Sequence, residues 1–557
     1  MNQIVAEPPY PLGSHLTAAA STPAAASLVA EFSWAVFALG LVAGIGALKL
    51  LTPFDGDQAL FLYFAQAIDH GQKLYVDVWD MKQPGVFWFY WLGGKLFGSS
   101  ELSVKLLELS WFLAFTLCLI LCLRRLFVHP WMSSIAAAAA LGSYYAFAGT
   151  RELTQAEILL SFPMFLSAWL LARDYRSSGA AAAGWLAAGG FAAVAVVFKL
   201  FYAPIFIGFV LVTIFSASGP QKSARALLAS GFAVLVPFTC GVAAVLGAVS
   251  LVLWWQGIFG ELVWNSFVYP FHALSTAAID VDSGRLLRNS LWLLAVMAPW
   301  LPFALITITR VVKANEPALM RLMLTWVLLT AILIILQRLM FWKYHFLLLF
   351  VPLSILAARG LDLLLSWLSA AATQPQAEAH RRLLSPAVLT ILFALPAMSA
   401  IIFFTQRQAE ELHLLASGGK PAGIERYRSA VGRDYGWIRE QLSGLRTPGG
   451  EPIYVFGNPL IYLITERRQA IPINGWSWEA YPTEKWEALP EQLIAARPAY
   501  LFVDRLNEEL ISENSRPTRQ FIDSSYVLVK EIDKGRLYAR RSPAPDASPD
   551  TGWHPHM

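Results

Sequence analysis

The segment FDGDQALFLYFAQAIDHGQKLYVDVWDMKQPGVF, from Phe54 to Phe87, follows directly on the first strongly apolar run of the chain. It contains five aspartates, a Lys-Gln-Pro-Gly turn and many aromatic rings. Aromatic side chains prefer the headgroup level of a bilayer. The segment therefore reads as an interfacial loop in which acidic groups are held against a membrane.

The composition places the whole chain in a membrane. Its 557 residues are 56% hydrophobic and only 14% charged, and its mean hydropathy is +0.51. Soluble globular proteins carry about 25% charged residues. The net charge of +4 does not point to nucleic acid, and no Gly-rich loop with the GK[ST] ending indicates an ATP-driven step.

Eleven apolar runs approach the roughly 20 residues that a membrane-spanning helix needs. They cover about residues 28–51, 103–123, 131–148, 153–172, 180–198, 200–215, 226–254, 286–308, 319–336, 345–367 and 384–404. Only Lys199 separates the fifth run from the sixth, so that pair is predicted to be a hairpin. The sequence thus predicts a polytopic α-helical membrane protein with about eleven spans.

Basic clusters set the predicted orientation, because cytoplasmic loops are enriched in Lys and Arg. With a cytoplasmic N-terminus, all clusters fall on the inner side: Arg124 and Arg125; Arg173 and Arg176; Lys222 and Arg225; Arg310, Lys313 and Arg321; Arg381 and Arg382. The prediction is a multi-pass protein of the cell inner (plasma) membrane. Residues 1–27 would form a disordered cytoplasmic tail, and 52–102 the first outer loop.

From about Thr405 the content of charge, Gly and Pro rises and the apolar runs shorten. Residues 405–542 are therefore predicted to form a small extracytoplasmic α/β domain, followed by a tail at 543–557. Strands are expected at 451–457 and 498–504, a helix at 484–496, and a hairpin at 526–541 that turns at Lys534-Gly535.

Asp55 and Asp57 begin an amphipathic pattern that runs to Ile68 and predicts a helix along the outer membrane surface. Helix capping explains one aspartate. Two acids separated by one residue exceed that need, and they are the first candidates for catalysis. Lys82 follows, as either a headgroup-seeking lysine or a phosphate ligand.

Further charged residues lie at the outer ends of later spans. Glu157 lies inside the fourth predicted span, where burying an ionisable group in the bilayer costs free energy. Such a residue is therefore taken as a functional candidate first. A salt bridge with Arg151 is the structural alternative. Lys199, Lys343 and His345 are predicted at the same face. A phosphate leaving group needs cations, and an attacking hydroxyl or amine needs a nearby carboxylate. These residues fit that chemistry. Asp55 and Asp57 without a third ligand do not indicate a divalent metal site.

These residues resemble the GT-C fold glycosyltransferases of the protein-O-mannosyltransferase and lipid A aminoarabinose transferase type. The resemblance is carried by Asp57-Gln58, where the family has Asp-Glu, and by GQKLYVDVWDMKQPG (71–85) with Gly98. It extends to QAEILL (155–160), to HFLLLFVPLSILAARGL (345–361), whose Phe346 replaces the family's Tyr, and to YVFGNPLIYLITERR (454–468) and RPAYLFVD (497–504).

The resemblance implies a polyprenyl-phosphate-linked sugar as donor and transfer to a cell-envelope glycan, lipid A or a protein, with inversion at the anomeric carbon. Asp57 would be the general base, with Asp55 as an extra carboxylate and Glu157 orienting the acceptor or a neighbouring cation. Lys82, with Lys199, Lys343 or His345, would stabilise the departing phosphate, and Arg151 is a further phosphate candidate. No cofactor is implied.

Two other classes stay open. A flippase or transporter for a lipid-linked glycan would carry charges at mid-bilayer depth, whereas these spans are predicted to carry theirs at the ends. A non-catalytic subunit of envelope-polysaccharide assembly is the second alternative.

Overall fold

A computed structural model describes residues 24–541 except 218–222, 271–282, 314–315, 338–340, 374–404, 407–408, 417–419, 448–449, 477, 479–480 and 482. The chain forms a membrane-embedded helical body followed by a small α/β domain, as predicted. This domain is called the outer domain after the side of the membrane that the sequence predicts for it. Most of the proposed N-terminal tail, the eleventh predicted span at 384–404 and the C-terminal tail lie outside the described residues.

The helical body consists of long apolar helices joined by short ones. Its helices are α1 (Ala24–Lys49), α2 (Asp57–Asp69), α3 (Pro84–Phe97), α4 (Glu101–Leu123), α5 (Met132–Ala137), α6 (Ser143–Phe147), α7 (Ala156–Leu159), α8 (Ser161–Ala172), α9 (Ser178–Phe198), α10 (Ala203–Ala217), α11 (Ala224–Trp255), α12 (Phe259–Val263), α13 (Ser283–Met297), α14 (Leu301–Val312), α15 (Ala318–Leu336) and α16 (Phe350–Thr373).

Within the described part of the chain, seven helices are long and apolar enough to cross a bilayer. The pair α13 and α14 makes an eighth if it is counted as one span, although it bends by 94°. The third predicted span is α5 and α6 joined by a π-helical turn, and the fourth is α7 and α8, and both are shorter than a full crossing. The count of eleven stays a prediction.

The predicted break at Lys199 is present. Helix α9 ends at Phe198, Lys199 adopts an extended backbone, and a 3-10 turn at Leu200–Tyr202 leads into α10. Pro84 opens α3 at its first turn, where a missing N–H costs nothing. Gly85 then packs on the end of α9, since a Cβ there would lie 2.6 Å from the carbonyl oxygen of Val197. This close approach places the loop before α3 beside Lys199.

Helix α2 is more buried than a helix with one face in water would be, and its position on the membrane surface stays a prediction. Both its apolar and its polar faces are largely covered, and exposure is limited to a small part of Asp57 at its start and to its C-terminal turn. The reason lies in the outer domain: Tyr63 on α2 stacks on Tyr462 at 5.1 Å and accepts a hydrogen bond from the Gln469 backbone. The outer domain, more than 350 residues later in the sequence, thus covers the face of α2 that the amphipathic pattern predicts to be exposed to water.

The outer domain has the predicted α/β composition. Its elements are α17 (Lys420–Val431), α18 (Tyr435–Leu442), β1 (Ile453–Phe456), α19 (Leu460–Thr465), α20 (Thr483–Ala496), β2 (Tyr500–Asp504), α21 (Arg505–Asn514), α22 (Arg516–Ser525), β3 (Tyr526–Ile532) and β4 (Gly535–Arg540). The sheet order is β1-β2-β4-β3, with β1 and β2 parallel and the other pairs antiparallel.

The expected strands, helix and hairpin are all present in this domain. The hairpin turn differs by one residue: Ile532 pairs with Gly535, so Asp533 and Lys534 form the two-residue loop. Gly535 lies inside the sheet, where it packs closely on the backbone of Val503. The glycine therefore serves strand packing and not the turn.

The first outer loop and the outer domain are joined directly by the backbone. Trp79 donates its N–H to Pro472 O at 2.9 Å, and its carbonyl accepts from the Asn474 side chain at 2.7 Å. This contact fixes the loop that carries Lys82 against the outer domain.

Candidate functional site

Asp57 opens α2, but neither nearby aspartate caps the helix. The N-cap residue is Gly56, which has φ +55° and no side-chain cap. A side chain at Gly56 would be strained by that φ, and its Cβ would lie 2.7 Å from the Trp476 ring. The capping explanation is therefore wrong for both acids, which are held by other partners.

The Asp57 carboxylate is held from two sides and stays 11% exposed. The Trp476 indole N–H donates to its Oδ1 at 2.8 Å, and the Lys82 Nζ lies 3.6 Å from the same oxygen. The Tyr344 hydroxyl also interacts with this carboxylate. Asp57 is thus a fixed, accessible acid at the boundary between the helical body and the outer domain.

Lys82 lies between two carboxylates. Its Nζ is 3.3 Å from Asp80 Oδ1, and its backbone N–H donates to that oxygen at 2.9 Å. Burial disfavours the ammonium, but the charges of Asp57 and Asp80 outweigh that effect and raise the pKa of Lys82. Lys82 is therefore a cation at neutral pH, and 26% of its side chain is exposed and open to an anionic ligand.

Asp55 points into a different environment. It is fully buried, accepts from Arg151 Nε at 3.0 Å and from the Asn458 amide at 2.5 Å. Arg151 also donates to Asp434 at 3.1 Å, and Asn458 donates to the same carboxylate at 2.9 Å. The four side chains form a closed network between the loop at 149–155, the start of α2 and the outer domain.

Burial raises the pKa of Asp55 more than Arg151 lowers it. Burial also acts against the charge on Arg151, but the pKa of Arg151 is raised by its two carboxylates. Asp55 and Arg151 therefore form an ion pair in which each stabilises the charge of the other. Because Asp55 lies two residues before Asp57, this ion pair is suited to positioning Asp57.

Glu157 forms the second polar centre. Three groups converge on its Oε1: Lys199 Nζ and the Tyr202 hydroxyl donate hydrogen bonds at 2.5 Å and 3.4 Å, and His345 Nε2 lies 3.6 Å away. Glu157 and His345 are buried, while 22% of the Lys199 side chain is exposed. The break between α9 and α10 is what frees Lys199 to face this carboxylate.

Tyr344 and His345 connect the two centres. Both interact electrostatically with Asp57, and the Lys199 ammonium lies 6.0 Å from the Tyr344 ring. Lys343 lies at the edge of the site, 3.6 Å from Glu152. All eight residues selected from the sequence therefore gather around one region, at the end of the helical body that meets the outer domain.

Several residues of the site were missed by the sequence analysis. Trp476, Asn458 and Asp434 come from the outer domain, and no local pattern connects them to Asp57. Tyr202 was hidden in an apolar run. Asp80 had a usable signal, since it lies two residues before Lys82 in the quoted loop.

Gln58 explains how this chain departs from the Asp-Glu pair of the resembling family. Its buried amide donates to the carbonyls of Thr150 and Leu153, both at 2.7 Å. A glutamate cannot donate these bonds. Gln58 thus anchors the loop that carries Arg151, and Asp57 is the one acid of that pair.

A buried glutamate on α4 supports the same loop. Glu108 accepts from the Thr154 hydroxyl at 2.9 Å, from the Thr154 N–H at 3.0 Å and from the Tyr144 hydroxyl. Thr154 has φ +54°, an uncommon conformation for a threonine. The bonds to Glu108 offset that strain and fix the segment between Arg151 and Glu157.

Metal binding finds no additional support in the described part of the chain, where no three His, Cys, Asp or Glu side chains form a candidate metal site. Independence from divalent metal therefore stays a prediction.

Comparisons with known proteins agree with this architecture. Residues 81–255 match the family model described as dolichyl-phosphate-mannose-protein mannosyltransferase. Among curated proteins, no sequence matches. ArnT from Cupriavidus metallidurans bound to undecaprenyl phosphate aligns over 91% of this chain and 98% of its own, with 14% identity and a TM-score of 0.55. Its apo form aligns over the same shares, with 16% identity and a TM-score of 0.54.

The structural match covers nearly the full length of both chains, so it includes the helical body and the outer domain together. The family match covers the loop with Lys82, the Glu157 segment and Lys199. This chain is a multi-pass membrane protein of the GT-C glycosyltransferase fold.

Proposed function

We propose that the protein transfers a sugar from a polyprenyl-phosphate-linked donor to an extracytoplasmic acceptor, a cell-envelope glycan, lipid A or a protein. The observation that carries this proposal is the pairing of a fixed, accessible carboxylate, Asp57, with the partly exposed cations Lys82 and Lys199 in one region. The fold shared with ArnT, which binds undecaprenyl phosphate, supports the donor class.

Asp57 is assigned as the general base. Trp476 and Lys82 both engage its Oδ1, so Oδ2 is the oxygen assigned to the acceptor. Oδ2 takes the proton while the acceptor oxygen or nitrogen attacks the anomeric carbon. The bond from that carbon to the phosphate oxygen breaks on the opposite face, so configuration inverts. The fixed position of Asp57 orients the acceptor for attack. Its carboxylate lies beside the attacking atom, which becomes more acidic as it bonds to the anomeric carbon.

The departing phosphate gains negative charge and needs fixed cations. Lys82 and Lys199 are the main candidates, because each is held by carboxylates on one side and open on the other. Lys343 and His345 are assigned supporting contacts at the same phosphate. Arg151 acts through Asp55, as a positioning residue. No step in this scheme requires a metal.

The test is sugar transfer from radiolabelled polyprenyl-phosphate sugars by membranes containing the wild type, Asp57→Asn or Asp55→Asn. We expect Asp57→Asn to abolish transfer and Asp55→Asn to leave a reduced but measurable rate, because Asp55 only positions the site. Asp77→Asn, in the same loop but exposed, is the matched control.

Other outcomes discriminate between the classes. Loss of transfer only in Asp55→Asn would move the base to Asp55. If the wild type transfers nothing and instead moves the lipid-linked sugar across a vesicle bilayer, the protein is a flippase. Neither activity, together with loss of envelope polysaccharide in cells lacking the protein, would favour the assembly subunit.

We further propose that the protein lies in the inner membrane with a cytoplasmic N-terminus and an outer domain on the extracytoplasmic side. After replacement of Cys118, Cys122 and Cys240, single cysteines are introduced by Arg176→Cys and Ser512→Cys at exposed positions. A membrane-impermeant maleimide should label the Ser512→Cys variant in intact cells, and Arg176→Cys only after permeabilisation. The reverse pattern would invert the topology.

A further inference from the structure

A cavity of about 930 Å³ lies outside the site, between α2 and the outer domain. One wall is the C-terminal half of α2, from Leu62 to His70, and the others come from α17, α18, α19 and the turn after α19. The proposed chemistry at the opposite end of α2 does not use it.

The cavity is strongly basic. It is lined by two glutamates, Glu101 and Glu466, and by five arginines: Arg428, Arg439, Arg446, Arg467 and Arg468. Glu101 pairs with Arg428 at 2.5 Å, and Glu466 pairs with Arg446 at 2.5 Å. Both carboxylates of the lining are thereby paired. Three arginines have no carboxylate partner within the lining: Arg439, Arg467 and Arg468.

The remaining arginines are not neutralised by the cavity itself. Arg439 pairs with Glu425 outside the lining, and Arg467 donates to backbone carbonyls, at 2.7 Å to Leu445. The Arg468 side chain forms no hydrogen bond or ion pair with any described residue, and it is exposed. Within the same set of residues, the buried Nε of Arg428 finds no acceptor. Unused guanidinium donors are suited to carboxylate and phosphate groups, which they can bind bidentately.

Aromatic rings line the same space. Tyr63 and Tyr462 stack on each other, and Tyr435 lies beside Arg428, whose guanidinium is 4.5 Å from its ring centroid. These three rings are buried and pack on each other and on Arg428, so they form part of the cavity wall. A cavity whose charged lining is mainly arginine therefore fits a saccharide carrying acidic groups better than a neutral one.

The cavity is also within reach of the candidate base. Leu62 is five residues after Asp57 and His70 is thirteen, so at about 1.5 Å per helical residue the cavity begins about 8 Å from Asp57 and ends about 20 Å away along the axis of α2. One extended ligand can occupy the cavity while another of its groups lies at Asp57.

We propose that this cavity binds the anionic saccharide portion of the acceptor, through its carboxylate or phosphate groups, while the group to be glycosylated lies at Asp57. The proposal rests on the proposed transferase function and adds a charge requirement for the acceptor. It assigns Arg468, whose side chain has no hydrogen-bond or ion-pair partner among the described residues, as an acceptor ligand, together with Arg446, which the acidic group would share with Glu466. Glu466 thus limits the positive charge that Arg446 offers.

The test measures binding and not transfer, so its failure is distinct from failure of the proposed function. The full chain in detergent is titrated calorimetrically with a hexasaccharide of galacturonate and, as a neutral match, with maltohexaose. A second pair, mannose 6-phosphate and mannose, separates phosphate from carboxylate recognition. We expect the acidic probe of at least one pair to bind, its neutral partner not to bind, and the affinity to fall with salt.

Variants give effects of opposite sign. Arg446→Gln combined with Arg468→Gln should weaken binding of the acidic probe about tenfold or more, since it removes charge-assisted contacts. Glu466→Gln should strengthen binding, a result that damaged folding would not produce. Arg505→Gln, in the outer domain but away from the cavity, should change nothing. Binding of neither acidic probe, equal binding of a neutral one, or insensitivity to both changes would overturn the proposal.

Discussion

At the scale of single residues, the two aspartates that open α2 show how surroundings decide chemistry. Asp55 is buried, and Arg151 and Asn458 occupy its oxygens. Asp57, two residues on, keeps some exposure and is held by Trp476 and Lys82. Equal side chains are thus assigned different tasks, one to hold the domains together and one to accept a proton.

Lys82 gives the first prediction at this scale. Lys82→Gln keeps an unbranched polar side chain, one atom shorter, but removes the charge that faces the departing phosphate. We expect the rate constant for transfer to fall on the order of a hundredfold, as for loss of one transition-state donor. Steady-state transfer assays measure it, with Lys73→Gln, an exposed lysine of the same loop, as control. An unchanged rate would remove Lys82 from the phosphate site.

The raised pKa of Lys82 adds a pH prediction. A folded-state pKa above the unfolded one means that the charged pairs with Asp57 and Asp80 are intact at neutral pH and are lost only as pH rises through the folded pKa. That point lies above the ordinary lysine value of about 10.4. The wild-type pH–rate profile should therefore show no decrease due to Lys82 below about pH 10. Any alkaline decrease below that pH should also be present in Lys82→Gln.

At the scale of elements, α2 matters because its first turn is fixed from outside. Gly56 permits the strained entry to the helix and makes room for the Trp476 ring. Trp476 in turn donates to Asp57 and lies over Arg151. Trp476 is accordingly a positioning residue, and the loop after β1 and α19 becomes part of the active region.

Trp476→Phe tests this role, because it keeps an aromatic ring and removes the indole N–H. We expect kcat to fall about tenfold with little change in KM, since hydrogen bonds to charged groups contribute about 1.5–3 kcal/mol. The thermal midpoint should stay nearly constant. Trp111→Phe, which loses an indole bond to Leu159 O elsewhere, should keep full kcat. A change in KM alone would instead assign Trp476 to substrate binding.

At the scale of the whole molecule, the outer domain completes the site. The network of Asp55, Arg151, Asp434 and Asn458 spans the boundary between helical body and outer domain. Asn458 is central to it, since its Oδ1 also accepts from Gly56 N at 3.3 Å. Loss of the Asn458 amide is therefore expected to disturb the alignment of the helical body and the outer domain.

Asn458→Ala leaves two carboxylates, the buried Asp55 and the partly exposed Asp434, short of a donor, and we expect about 1–3 kcal/mol of lost stability at neutral pH. The deficit should shrink as pH falls. Asp55 has a raised folded pKa, so its ionised form is the unfavourable one, and its protonated form needs the lost donor less. Thermal melts at about pH 7.5 and about pH 5 measure this. Asn507→Ala, which loses a bond to Phe456 O within the outer domain, should show no such pH dependence.

The sequence alone determined the class, the break at Lys199, the strands and one helix of the outer domain and the eight candidate side chains. Apolar length, period and turn residues are local, and a costly charge in an apolar run is visible without coordinates. The burial of the polar face of α2 was not predicted, because the surface that covers it comes from residues about 400 positions later.

Only the tertiary structure decided which acid faces the site. Asp55 and Asp57 are equivalent in the sequence, and contacts with Arg151, Asn458, Trp476 and Lys82 separate them. The basic cavity likewise forms only when α2 meets the outer domain. Charge and burial act through space, so the chemistry of this protein depends on neighbours that its local sequence does not specify.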